Sequence, residues 1–480
     1  MQLKNYIDGT FQPARSGKTL DNYCPADGSV YGTLPDSGAA DVADAYRAAR
    51  AAFPAWSAAA PEERSRILLE ISRLIEENLE RLARAESHDN GKPIALARAV
   101  DIPRAAANFR FFAHAATQFA AESHETTGAR PAFNFTLRRP LGVVGCISPW
   151  NLPLYLFTWK IAPALATGNC VIGKPSEVTP ATAHLLAELC TTAGLPPGVL
   201  NLVHGRGATA GNALVEHPGI RAISFTGGTA TGAHIARTAA PLFKKLSLEL
   251  GGKNPNLIFA DCDFERMMQT TVRSSFANQG QICLCGSRIL VERSLYDRFK
   301  RTFLERVRQL RVGHPRAPDT DLGALVSATH LEKVQSYIAL TEAEGGTLLH
   351  GGERVRVPGY PNGYYLQPTV IEVPNNDCRL NQEEIFGPVV TLLPFDTEAE
   401  ALHLANGTQY GLSATVWTEH LPRALRVSSA LDAGIVWVNT WMLRDLRTPF
   451  GGTKASGVGR EGGWAAMRFF TEAKNVCLAL

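Results

Sequence analysis

Short strand-like apolar runs alternate with longer stretches of helical periodicity through the middle of the chain. Val143 to Ser148, Cys170 to Gly173, Val199 to Val203 and Arg221 to Phe225 are such runs, and helical stretches such as Thr182 to Ala193 separate them. That order predicts βαβ units on a parallel sheet over about 140 to 250, which is nucleotide-binding architecture. Nearer the N-terminus, PEERSRILLEISRLIEENLERLARAE (residues 61 to 86) carries apolar residues at helical spacing with carboxylates and arginines on the other face. It reads as an amphipathic surface helix that carries no chemistry.

Three glycine patterns punctuate the predicted sheet. Gly168 to Lys174 (GNCVIGK) fits the first seven places of a phosphate-binding P-loop, but Pro175 follows in place of Ser or Thr and Cys-Val-Ile fill the loop, so it is rejected. Gly205 to Gly211 follows a strand and resembles a dinucleotide fingerprint with one residue too many, which is a weak signal. Phe225 to Gly232 (FTGGTATG) is stronger. It leaves a strand and opens a helix, where bare N–H groups and the helix dipole can receive a pyrophosphate.

Composition narrows the classes. A chain of 480 residues, 45% hydrophobic and 19% charged, can bury more than one core, so two or three domains are expected. A net charge of +3 with no basic run argues against nucleic acid as a partner. The polar first residues lack the apolar core of a signal peptide, and no stretch of about 18 uncharged apolar residues occurs, so no membrane partner and a cytosolic location are expected. Nine scattered cysteines, an odd number, read as reduced thiols. With no CxxC, HExxH or paired histidines, no metal is expected.

Two of those cysteines stand one residue apart in FANQGQICLCGSRI, Phe276 to Ile289, a loop followed by a strand. A thiol with a pKa of about 8.5 needs a partner or local environment that stabilises its anion before it becomes a nucleophile. If Ile282 to Cys285 is extended, Cys283 and Cys285 point the same way, so spacing does not choose between them.

Read together, SPWNLP (148 to 153), KPSE (174 to 177), FTGGTATG (225 to 232), LELGGKNP (248 to 255), NQGQICLCGSR (278 to 288), EEIFGPV (383 to 389) and PFGGTKASGVGREGG (449 to 463) resemble the aldehyde dehydrogenase superfamily, in order and over nearly the whole chain. The resemblance implies an α/β fold: a Rossmann-type NAD-binding domain (1–117 and 139–250), an α/β catalytic domain (251–455) and a small β oligomerisation element (118–138 and 466–480). It implies Cys283 as nucleophile, Asn151 as side-chain donor to the oxyanion and Glu249 as general base for thioester hydrolysis, with Cys285 as packing. NAD is the implied cofactor, with Lys174 and Glu177 at the adenosine ribose, Glu384 and Phe386 on the nicotinamide ribose side, and Ser148, Trp150, Ser176, Phe225, Thr226, Gly227, Gly228 and Leu250 also contributing. Gly228 stands where the family usually has a serine on the pyrophosphate. Enzymes of this family that acylate coenzyme A usually lack the glutamate, so Glu249 points to hydrolysis.

Within the family, Arg104 and Arg444 fall where many relatives place apolar or aromatic residues of the substrate tunnel, beside Tyr155, Trp159 and Phe450. Two cations in one funnel imply an anionic substrate. Asp101 is expected to cap the helix carrying Arg104, and the competing reading pairs Arg104 with Asp101 and Arg444 with Asp445. The surrounding blocks are most similar to the branch that oxidises 2-aminomuconate and 2-hydroxymuconate semialdehydes, with the amino form expected; succinate semialdehyde and general aliphatic aldehydes are the alternatives. A homo-oligomer, dimer or tetramer, is expected through 118–138 and the apolar tail KNVCLAL.

Overall fold

The computed structural model describes Met1–Leu480, and two parallel sheets dominate it. The first contains eight strands in the order Thr10–Gln12, Asn5–Ile7, Leu200–Leu202, Cys170–Lys174, Val143–Ile147, Ala222–Thr226, Lys245–Glu249 and Gly457–Val458. Its central five strands are parallel. Chain order therefore reverses direction at Val143–Ile147, which makes that strand the topological switch point of a doubly wound sheet. Every residue of Val143–Ile147 and Cys170–Lys174 is buried, and helices including Pro153–Ala166 and Ala181–Thr192 cover the faces. Uninterrupted apolar strands are what burial on both faces requires.

The stretch predicted as one helix from 61 is two, Pro61–Glu77 and Leu79–Asn90. Asn78 breaks it by turning its side-chain amide back onto the Leu74 carbonyl, 2.9 Å away. Ile67, Leu68, Ile71 and Ile75 are buried, and the first of these helices packs on Ile102–Ala116, the helix that carries Arg104.

The second sheet has seven strands in the order Thr347–His350, Thr369–Glu372, Val389–Phe395, Arg288–Glu292, Pro255–Ile258, Ser413–Trp417 and Ile435–Val438, parallel except at the first edge. A third, antiparallel sheet joins Thr471–Ala479 to Ala132–Pro140 and Ser123–Thr126, in register from Thr471 opposite Pro140 to Ala479 opposite Ala132. It is largely exposed. No helix is long and apolar enough to cross a membrane.

Candidate active site

In a parallel sheet all carboxyl ends open on one edge, and four of them deliver candidate residues here. Val143–Ile147 runs into Ser148, Trp150 and Asn151; Cys170–Lys174 ends on Lys174 and leads to Ser176 and Glu177; Ala222–Thr226, which contains Phe225 and Thr226, leads to Gly227 and Gly228; Lys245–Glu249 ends on Glu249, before Leu250. The helix Thr229–Ala239 starts directly after Gly228, with its N-terminus exposed. A Cβ on Gly228 would meet nothing within 4 Å, so sterics do not demand glycine there.

Opposite this edge stands the segment before Cys283. Asn278, Gln279 and Gly280 are consecutively left-handed, with φ of 52°, 57° and 70°. Gly280 is required, because a Cβ there would overlap the Gly387 carbonyl oxygen. The other two conformations are held by amides: Asn278 Nδ2 donates to the carbonyls of Asn151 (3.0 Å) and Gln281 (3.2 Å), and Gln279 Nε2 to that of Ala324 (2.8 Å). Asn151 Nδ2 itself donates to the Gln281 carbonyl at 2.9 Å, which ties the candidate oxyanion donor to the segment bearing the thiol.

Ile282 to Cys285 is not extended. Cys285 N–H bonds the Ile282 carbonyl at 3.0 Å and closes a turn, so the extended reading does not hold. Cys285 is buried, and Cys283 is half-buried at the junction of two small spaces of about 20 Å³ each. One is lined by Glu249, Tyr155, Phe450 and Arg444 among others, the other by Glu384, Phe386 and Cys285. Asn254, which sequence reasoning missed, braces the turn by donating to the carbonyls of Cys283 (2.7 Å) and Cys285 (2.9 Å). Burial pushes the Cys283 thiol up to about 12, helped by the carboxylates of Glu384 and Glu249 and opposed by Arg444.

Glu249 is buried and neither of its oxygens has a hydrogen-bond partner. Burial raises its pKa well above the usual carboxylate range, and Glu461 adds to this against Lys160, Arg460 and Arg444. Glu461 in turn accepts from Lys160 Nζ (2.7 Å) and Ser224 Oγ (3.0 Å). Neither Lys160 nor Glu461 was singled out from sequence. The signal was there, since Lys160 is the one charge in the otherwise uncharged helix PLYLFTWKIAPALA.

The two arginines meet at Tyr155. Arg444 Nη1 donates to the Tyr155 hydroxyl at 2.7 Å and its guanidinium lies 4.1 Å from the Phe450 ring centre and 5.2 Å from that of Trp159. Arg104 lies over the Tyr155 ring at 5.7 Å. Neither makes an ion pair: Asp101 is bound by Lys92 at 3.1 Å, and Asp445 by Arg447 at 2.6 Å. Nor does Asp101 cap a helix. It has helical dihedrals, makes no side-chain capping bond and continues a π-turn from Ala97, so Arg104 does not sit at a free helix N-terminus.

A cleft of about 940 Å³ lies beside this site, lined by Glu177, Val178, Arg206, His330 and Lys333 among others. Lys174 Nζ donates to Glu177 at 2.6 Å, and the Gly207 N–H donates to its other oxygen at 3.1 Å, which gives the weak glycine pattern a role. Burial works to raise the Glu177 pKa, but Lys174 and these bonds hold it below its ordinary value. His330 bonds the carbonyl of Phe386 (2.7 Å), which is left-handed at φ 63°, and packs edge-on against Trp150. Glu384 accepts from the Gly252 N–H at 2.9 Å. Ser176 accepts from the Val178 N–H, whereas the Ser148 and Thr226 hydroxyls are buried without partners. Of the candidate cofactor residues only Glu177 lines this cleft, and Thr19 to Tyr23 and Val326 to His330 form much of its wall.

The aldehyde dehydrogenase family pattern matches residues 11–476. The chain belongs to the aldehyde dehydrogenase family. This makes it an NAD-dependent aldehyde oxidoreductase. It is 52% identical over 478 residues to the 2-aminomuconic semialdehyde dehydrogenase of Danio rerio, covering 99% of this chain and 97% of that protein. It is 46% identical to the 2-hydroxymuconic semialdehyde dehydrogenase of Pseudomonas sp. (strain CF600), covering all of both chains. Among solved structures, PnpE from Pseudomonas sp. WBC-3, also solved in complex with nicotinamide adenine dinucleotide, superposes with a TM-score of 0.97 at 42% identity, covering 100% of this chain and 98% of that one.

A thiol pushed up to about 12 is almost wholly protonated at neutral pH. Alkylation of Cys283 by iodoacetamide in the cofactor-free protein, followed by peptide mapping to separate it from exposed Cys477, should rise about tenfold per pH unit from pH 7 to 10. A plateau below pH 9 contradicts this electrostatic account.

Proposed function

We propose that this protein oxidises 2-aminomuconate 6-semialdehyde to 2-aminomuconate through Cys283. The observation that carries the substrate assignment is the pair of arginines, Arg104 and Arg444, both on Tyr155 with no carboxylate bound to either, Arg444 and Tyr155 lining a space beside the thiol. The likeness to relatives named for this substrate supports it. A free guanidinium presents a planar fork of donors to a carboxylate. Tyr155, Trp159 and Phe450 form the aromatic wall on which the conjugated chain lies. The 2-hydroxymuconate semialdehyde offers the same distal carboxylate, and relatives named for it keep that substrate as the second reading.

Glu177, held by Lys174, accepts from the ribose hydroxyls and repels a 2′-phosphate, which favours NAD over its phosphorylated form. Glu384 and Phe386 hold the nicotinamide end, with Ser148, Trp150, Ser176, Phe225, Thr226, Gly227, Gly228 and Leu250 completing the cofactor surface. NAD supplies the hydride acceptor when bound. The chain's own residues do the rest. Cys283 Sγ bonds the aldehyde carbon as its proton passes to solvent water, and the oxygen that becomes an alkoxide takes donors from Asn151 Nδ2 and the Cys283 N–H, each such donor contributing about 2.7–4 kcal/mol. After oxidation the acyl group remains on sulfur as a thioester. Glu249 removes a proton from water, the hydroxide adds to the acyl carbon, and the thiolate leaves with the acid as product. The unpartnered carboxyl of Glu249 suits that step, since nothing competes with water for it.

Residues 1–117 and 139–250 form the cofactor domain, 251–455 the catalytic domain, and 118–138 with 466–480 the oligomerisation element. The exposed third sheet supports the last, with Phe133, Leu478 and Leu480 bare and the outer edge of Thr471–Ala479 unpaired.

Arg104→Ala and Arg444→Ala should each lower kcat/KM for the muconic semialdehyde about 10–150-fold, the value of one charged hydrogen bond at about 1.5–3 kcal/mol, while acetaldehyde changes less than about twofold. Equal losses on both substrates would exclude the clamp. Because a raised pKa keeps Glu249 protonated until higher pH, thioester hydrolysis in single turnover should climb with pH and then level; Glu249→Gln should slow it about 10²–10⁴-fold and remove the climb. An unchanged profile in that variant rejects Glu249 as the base. Sedimentation velocity should find a dimer or tetramer that dissociates when 471–480 is deleted, and a monomeric parent protein would refute the oligomerisation element.

A further inference from the structure

Each clamp arginine has an aspartate close by in sequence, Asp101 three residues before Arg104 and Asp445 beside Arg444. Left alone, these would be the competitors nearest in sequence for the guanidinium groups. On a helix, residues three apart are neighbours within reach of an ion pair. Yet neither pairing forms. Lys92 Nζ stands 3.1 Å from Asp101 and 3.4 Å from Glu86, with all three side chains fully buried. Arg447 grips Asp445 with Nη2 at 2.6 Å, Nε at 3.0 and 3.1 Å, and its backbone N–H at 2.9 Å.

We propose that Lys92 and Arg447 determine substrate specificity by withholding Asp101 and Asp445 from the two clamp arginines. The inference rests on the reading of Arg104 and Arg444 as carboxylate binders. It adds residues that touch no substrate and act only through charge.

The fold holds Lys92 firmly to this task. Its carbonyl accepts from Ser87 Oγ at 2.7 Å, and the preceding Gly91, left-handed at φ 85°, accepts from the Ala324 N–H at 3.0 Å. Asn90 ties the same loop to the Trp150 carbonyl at 2.9 Å. On the other side the chain passes through a π-turn at Ala97–Asp101, where the Ile102 N–H reaches back five residues to Ala97. Pro103 has no N–H to give and would crowd a normal turn, so the widened turn accommodates it. Asp101 is thereby fixed against Lys92. Farther along, Asn108 donates to the Tyr155 carbonyl (3.1 Å) and Thr158 Oγ1 (3.0 Å), so Arg104 lies between two anchored positions on one helical face.

Arg447 is the safer place to test this, because its side chain is 79% exposed and its replacement leaves no buried charge. In Arg447→Gln, Asp445 is released to Arg444. KM for the muconic semialdehyde should rise about threefold to fivefold, the ceiling for an exposed pair, with kcat/KM for acetaldehyde unchanged. Adding Asp445→Asn should restore the parent KM. Lys92→Gln should act in the same sense and more strongly, about tenfold, and Asp101→Asn should reverse it. If Lys92→Gln does not fold, Asp101→Asn alone decides that half: anionic kcat/KM at or above the parent supports withholding, and a selective loss overturns it. The proposal is also overturned if Arg447→Gln shifts both substrates alike or neither, or if Asp445→Asn fails to rescue. Should Arg104→Ala and Arg444→Ala themselves show no selectivity, the clamp reading has failed instead.

Discussion

Three left-handed residues in a row, Asn278 to Gly280, set the position of Cys283. Such backbone costs of order 1 kcal/mol or more for a non-glycine residue and persists only where the surroundings over-determine it. Here amides do so. Asn278 and Asn151 both converge on the Gln281 carbonyl, Asn278 also bonds the Asn151 carbonyl, and Asn254 braces the turn from the other side. The end of a strand in one sheet is thus tied to the approach to a strand in the other. Remove that tie and the thiol, the oxyanion donor and the carboxylates share no common reference.

Charge is divided around that tie. Carboxylates lie inside, with Glu249, Glu384 and Glu461 near the thiol, and unpaired guanidinium groups lie at Tyr155. Burial and the neighbouring carboxylates push the thiol pKa up. Arg444 belongs to both fields, since it lowers the pKa of Cys283 and of Glu249 while its donors face the aromatic wall. Other left-handed residues gather here too, Phe386 and Met442 each lining one of the spaces flanking Cys283.

The parallel sheet was legible because buried strands must be apolar along their whole length, and Val143 to Ser148 or Cys170 to Gly173 could be read as little else. Rejection of the P-loop had the same origin, as GNCVIGK runs into a fully buried strand. The extended reading of Ile282 to Cys285 failed because the chain turns there, with the Cys285 N–H on the Ile282 carbonyl, and the brace on that turn comes from Asn254, about thirty residues away. Asp101 looked like a cap by position, but its partner Lys92 arrives from a separate loop. Lys160 and Glu461 lie some three hundred residues apart and become a pair only when folded.

The sequence by itself determined the fold class, the family and the identity of the chemical groups, because these follow from local periodicity and from short motifs whose residues act through their type. Tertiary structure alone decided which charges are free and which are spent. Lys92 and Arg447 pair with Asp101 and Asp445, which leaves Arg104 and Arg444 without an ion pair, and burial of Cys283 and Glu249 sets how tightly each holds its proton. Electrostatic energy falls with distance and rises as water is excluded, and neither distance nor exclusion is written along the chain.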